Sequence, residues 1–167
     1  MFLDSWSGHK DQKIFDENLG ENIFEICIIP PKTTPIAQPL DVYFNYWWKY
    51  FARRIADCVA IDRIDINLSD RNNIIKMHSL IHWQLGSEVY KPMIKYAWHK
   101  AGYLNEHPGP FQSVADFAFP KKNHYCDIIN CQKISFIQCS RCINYLCFQH
   151  FFIDYHYNCQ LDVWVEI

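Results

Sequence analysis

The chain opens on an apolar triplet closed by an acid, Met1–Asp4, which reads as the end of a buried strand. Asp11–Leu19 then sets Ile14, Phe15 and Leu19 on one helical face, and Gly20 supplies the stop. Ile23–Ile29 (IFEICII) is almost continuously apolar, the pattern of an internal parallel strand covered on both faces. Strand, helix and strand over this span form a βαβ unit with a right-handed crossover.

Pro30 and Pro31 end the second strand because neither can donate a ladder hydrogen bond. Pro35 and Pro39 predict that the following loop stays extended. Asp41 falls where an N-cap belongs, before a helix over Val42–Ala60 with Tyr43, Trp47, Tyr50 and Phe51 at helical spacing. Ser69 or Asp70 caps a second helix running to about Gln84. Ser87 starts a third near Val89–Ala101, with Pro92 in its first turn and Gly102 as its stop. A Pro/Gly loop at His107–Pro110 and a short helical turn near Gln112–Phe117 follow. Pro120-Lys121-Lys122 reads as a linker, beyond which the composition changes.

Hydrophobic residues make up 50% of the 167 and charged residues 20%, a globular balance. The net charge of −2 gives no overall pull toward nucleic acid, so DNA affinity would have to be local. Lys49, Arg53, Arg54 and Arg63 form the most basic stretch, but Asp57 and Asp62 interrupt it, as on a solvated helix face. No apolar run approaches membrane-spanning length, and a start with Asp4 close behind Met1 and no basic segment is not a signal peptide. The expected compartment is the nucleus, or else the cytosol, where cysteines are thiols or metal ligands and not disulfides. Isolated Cys27 and Cys58 read as small buried apolar residues.

Two aspartates carry candidate chemistry. Asp4 stands in Asp4-Ser5-Trp6-Ser7-Gly8-His9, at a strand end. Asp41 closes Pro30-Pro31-Lys32-Thr33-Thr34-Pro35-Ile36-Ala37-Gln38-Pro39-Leu40-Asp41, at a helix start. Cleavage of a phosphodiester by two metal ions needs carboxylates that hold divalent cations roughly 3.5–4 Å apart. A strand end supplies rigidity, and a helix N-terminus adds exposed N–H groups and a partial positive field. By itself each aspartate also fits a purely structural role. The two motifs and the 36 residues between the aspartates resemble the second and third acidic positions of pogo/mariner-type DDE (DDD) transposases.

That resemblance implies an α/β fold: a truncated ribonuclease-H-like (DDE integrase-type) half-core over residues 1–64 and a helical subdomain over 65–118. It also implies Mg2+ or Mn2+ at Asp4 and Asp41 in the ancestor, with DNA as ancestral substrate. His9 follows the aspartate in that family too; it could bond near phosphate, or be satisfied by water. The strand that delivers the first carboxylate lies upstream of the second in such enzymes, so this chain is expected to be inactive alone. Asp11, Asp16, Glu17 and Glu21 lie on or beside the intervening helix and do not replace that carboxylate.

Six of the eight cysteines fall in residues 126–167. Cys126, Cys131, Cys139, Cys142, Cys147, His150, His156 and Cys159 form four short pairs, which with four tetrahedral ligands per ion implies two structural Zn2+. From Cys139 onward the order resembles cross-brace zinc fingers, in which alternating pairs share an ion. That resemblance groups Cys126, Cys131, Cys147 and His150 on one ion and Cys139, Cys142, His156 and Cys159 on the other, with His124 as a competing ligand. Only Lys133 and Arg141 are basic within the finger, which favours protein docking or a structural role over base reading. Residues 119–167 are therefore expected to be a zinc-binding tail that can unfold without disturbing 1–118.

Two functions fit this sequence. One is a truncated or domesticated transposon-derived DDE endonuclease fragment, once able to cleave and transfer DNA strands. The other is a zinc-stabilised module that binds a protein partner.

Overall fold

The computed structural model describes residues 2–3, 27–119 and 121–159. Strand β1 (Phe2–Leu3) pairs in parallel with β2 (Cys27–Ile28), in the register Phe2↔Cys27 and Leu3↔Ile28. The expected strand of residues 23–29 is thus described only from Cys27 onward, and the helix at Asp11–Leu19, Asp4 and His9 lie outside the described residues. Cys27 and Ile28 are exposed, whereas Ile29 is buried. Burial on both faces, and Cys27 as a buried residue, are therefore corrected. Among the described residues β1 is the only strand beside β2.

The proline loop is not extended. Thr34–Ala37 forms a short helix, α1, because Pro35 sits in its first turn, where its missing N–H costs nothing. A π-helical turn, Leu40–Phe44, runs directly into α2 (Asn45–Ile61). Asp41 lies inside this first turn and is not its N-cap, which is Pro39. Its exposed carboxylate accepts a hydrogen bond from Asn45 Nδ2 at 2.7 Å.

Helix α3 (Arg71–Leu85) starts after Asp70 and ends at Gly86. A Cβ at Gly86 would stand 3.2 Å from the His82 carbonyl oxygen and 3.3 Å from Arg141 Nη2, so a larger residue fits only if these neighbours give by a few tenths of an ångström. A 3-10 turn at Glu88–Tyr90 leads into α4 (Lys91–Lys100), with Pro92 in its first turn. Gly102, at φ +84°, takes the left-handed conformation that closes it. Ser113 caps the short α5 (Val114–Phe117) by accepting from the Asp116 N–H. The final segment carries an antiparallel hairpin, β3 (Ile137–Gln138) and β4 (Tyr145–Leu146), and a π-helical turn at Gln149–Ile153.

The helices bury Phe51 and Ile55 from α2, Leu80, Ile81 and Leu85 from α3, and Met93 from α4. The four-residue spacings of Phe51 and Ile55, of Ile81 and Leu85, and of Met93 and the buried Ala97 set one apolar face per helix toward the centre. The same cluster continues without a break into Phe119, Ile137, Leu146, Phe148, Phe151 and Phe152. Edge-to-face and tilted rings link the two parts: Phe51 to Phe119 at 5.2 Å, Phe51 to Phe151 at 6.1 Å, and Phe119 to Phe136 at 5.5 Å between centroids. The expected independence of the tail is therefore corrected, because its aromatic residues complete the helical core.

Truncating a buried phenylalanine costs about 3–5 kcal/mol. Phe151→Ala should therefore melt the helices together with the tail. Far-UV circular dichroism and proteolysis of the finger, followed in urea, should report one shared midpoint, well below that of the unsubstituted chain. Wild-type helix stability with only the tail loosened would show that the core is not shared.

Candidate metal centre

The hairpin turn Cys139-Ser140-Arg141-Cys142 is tightened by Cys139 N–H to Asn144 O and Ile143 N–H to Cys139 O, both at 2.9 Å. It presents two thiols on one side. A second loop, Cys126–Cys131, folds back through Cys131 N–H to Ile128 O, with Asn130 at φ 63°. Cys147 and His150 flank the start of the last π-helical turn, and His156 and Cys159 follow it. Tyr155 and Asn158, at φ 56° and 57°, turn the chain back on itself there.

The four pairs gather in alternation. Cys126, Cys131, Cys147 and His150 form one quartet, and Cys139, Cys142, His156 and Cys159 the other, with the ligand atoms of each quartet all within 4.8 Å of one another. In the first, His150 Nδ1 stands 3.2 Å from Cys126 Sγ and 3.3 Å from Cys147 Sγ, and Cys131 Sγ lies 3.9 Å from Cys147 Sγ. In the second, Cys139 Sγ is 3.5 Å from Cys159 Sγ, and Cys142 Sγ is 3.3 Å from His156 Nε2. Zinc bonds of about 2.3 Å to sulfur and about 2.0 Å to nitrogen, held at tetrahedral angles, separate two sulfurs by about 3.8 Å and a sulfur from a nitrogen by about 3.5 Å. Both quartets approach those separations. They are far too open for disulfides, and all eight cysteines are free thiols. The donor set therefore fits a metal ion such as zinc in each quartet.

The first quartet has a further partner. With Nδ1 of His150 toward the sulfurs, its Nε2 faces the Asp154 carboxylate at 3.9 Å, the arrangement that orients a metal-binding imidazole. His124 does not compete as a ligand. Its ring lies flat on Tyr145, 3.9 Å away and 5° from parallel, and belongs to neither quartet. Asp154 is four residues beyond His150, a spacing legible in the sequence. Gln84, whose amide reaches Cys139 Sγ at 3.1 Å from helix α3, has no such signal.

Cys58 stands apart from both quartets and is only half-buried. Its thiol donates to Asp62 Oδ2 at 3.4 Å. Burial, that hydrogen bond and the Asp62 charge push it up to about 12, so it is a protonated, inert thiol. Asp41, the one catalytic candidate among the described residues, is exposed and bonded to Asn45.

Without an ion, the quartets hold protons where metal bonds belong. Burial and the neighbouring Cys126 push Cys147 up to about 11. Hydrogen bonds from Cys142 and Cys159 hold Cys139 far below the usual thiol range, and the same sharing raises Cys142. Burial opposes the charge on His156, but its bonds to Cys139 and Cys159 prevail and push it up to about 9. At neutral pH, Cys147, Cys142 and His156 therefore carry protons that metal must displace. Lowering the pH strengthens that competition and raising it removes it. Zinc affinity, measured by chelator competition from about pH 6 to about pH 8, should climb roughly tenfold per pH unit for each proton released. A flat profile would contradict binding at these groups.

Comparison with characterised proteins and with solved structures yields no match. Residues 98–159 match the family model of the Tc5 transposase C-terminal domain. That span begins at Trp98 in helix α4, takes in all eight candidate ligands and closes on Cys159. The C-terminal region of this chain is thus transposase-related.

Proposed function

We propose that the chain is a fragment of a transposon-derived DDE-type transposase whose C-terminal region is a two-zinc cross-brace finger. The carrying observation is the alternating assembly of two Cys3His quartets within the stretch similar to the Tc5 transposase C-terminal domain. In this reading zinc is structural, because each ion would find four protein ligands and no open position. Its work is to fix Phe148, Phe151 and Phe152 against the helices and so hold the C-terminal region on its neighbour.

Residues 1–64 are read as a partial ribonuclease-H-like core, with Asp4 and Asp41 as the ancestral Mg2+ or Mn2+ ligands. The parallel pairing of β1 with β2 supports an α/β core, and the place of Asp41 in a first helical turn supports a ligand position. Two carboxylates are fewer than two-metal chemistry uses, so these 167 residues are not expected to cut DNA. DNA and the nucleus are the partner and compartment consistent with a transposase-related region. Among the described residues no helix is long and apolar enough to cross a membrane.

A second role is favoured by one surface. Tyr125, Ile129 and Ile134, in and beside the Cys126–Cys131 loop, are 70%, 88% and 59% exposed, an apolar display that suits a protein partner and not a phosphate backbone.

Chain purified without chelator should contain about two zinc ions per molecule by elemental analysis. Less than one, with the finger still resistant to protease in EDTA, would refute the zinc reading. Supercoiled DNA with Mg2+ or Mn2+ should not be nicked above background. Metal-dependent nicking abolished by Asp41→Ala would show instead that this chain is an active nuclease.

A further inference from the structure

Gln84 is fully buried at the end of helix α3, although its amide needs partners for two donors and an acceptor. Those partners come from the tight turn of the second quartet. Gln84 Oε1 accepts from Ser140 N–H at 2.7 Å and from the Ser140 hydroxyl at 2.9 Å, and the Gln84 carbonyl accepts from the same hydroxyl at 2.8 Å. Because the Ser140 backbone N–H can only donate, the amide oxygen must face it. The amide nitrogen is then left toward Cys139 Sγ, to which it donates at 3.1 Å. Arg141 braces the same turn: its Nε donates to the Trp83 carbonyl at 3.0 Å, and its guanidinium lies 4.2 Å from the centre of the Trp83 ring. Among the described residues, no side chain of α2, α3 or α4 is hydrogen-bonded to a sulfur of the first quartet.

We propose that Gln84 is a positioning residue for the second quartet, holding Cys139 in ligating geometry and relieving its sulfur of negative charge from outside the ligand set. The inference rests on the two-zinc reading and deepens it. Three thiolates around a divalent cation leave one excess negative charge in a buried place. An N–H aimed at the sulfur spreads that charge, as second-sphere donors do at metal sites. The two quartets are then unequal: the second holds its metal only as well as α3 is formed. By reciprocal linkage, its metal also stabilises the end of α3.

Gln84→Glu and Gln84→Met separate this role from plain packing. Glutamate keeps the size and the oxygen that Ser140 needs, but turns a second oxygen toward Cys139. Methionine keeps the volume and loses both contacts. Zinc-loaded full-length chain is challenged with EDTA and N-ethylmaleimide, and labelled cysteines are assigned by peptide mass. Loss of such a second-sphere bond typically weakens metal binding by about 10–100-fold. In both variants Cys139, Cys142 and Cys159 should therefore label at least about tenfold faster than in wild type, while Cys126, Cys131 and Cys147 keep their wild-type rate. Cobalt-loaded variants should show the sulfur-to-metal absorption shifted for one ion of the two.

A wild-type labelling rate and cobalt spectrum for Gln84→Glu would overturn the proposal, leaving Gln84 a tether for Ser140 alone. Equal acceleration of both quartets in both variants would overturn it too, marking Gln84 as a general core residue. A wild-type chain that binds no zinc would instead defeat the underlying reading, and that is read before any variant is made.

Discussion

Phe151 and Phe152 lie between two candidate metal ligands, His150 and His156, and both are wholly buried. This adjacency governs the C-terminal half. Among its described residues the segment has a two-stranded hairpin and no long helix of its own, far too little to bury its aromatic residues by itself. The two candidate ligand quartets and the buried rings share one short stretch, and the rings hold the ligand side chains near one another. Metal binding, as proposed, and hydrophobic burial would therefore act on the same few residues. Neither the helices nor the finger has a complete core without the other.

The contacts around this centre are of two kinds. Along α2 they are aromatic, through Phe51 to Phe119 and Phe151, with Arg54 lying over Phe119. Along α3 they are polar: Lys76 donates to the Ile153 carbonyl, Ser79 meets the Tyr155 hydroxyl, and Gln84 and Arg141 join at the turn of the second quartet. The aromatic side supplies most of the burial. The polar side supplies direction, since an amide or guanidinium accepts few alternative geometries.

Much of this was legible in the sequence and some was not, for physical reasons. Three helices followed from periodicity, with Asp70, Pro92 and Gly102 as boundary cues, and their ends are displaced by one to three residues, as fraying termini generally are. That the tail holds metal-ligand pairs was legible from spacing, but their grouping came only from the resemblance to cross-brace fingers, because spacing alone does not say which pairs meet; the structure gathers the same two groups. Proline misled at Thr34–Ala37, since the same fixed φ that suits an extended loop also suits a first helical turn. His124 was ambiguous because a histidine near cysteines offers either its nitrogens or its ring face, and Tyr145 takes the face. Gln84 was invisible, since nothing in one residue's identity tells which segment, more than fifty positions on, will supply its partners.

The interleaving of the pairs also has a consequence for how the protein is made. The first quartet cannot close until His150 has been synthesised, and the second not until Cys159. Both closures come after α2, α3 and α4 have been synthesised. Until then the faces carrying Phe51, Ile55, Leu80 and Ile81 have no cover, and the cysteines nearest the start of the finger wait without partners. In the proposed two-zinc reading, metal capture follows synthesis of the helices, and chains made without zinc would leave these helix faces exposed to one another.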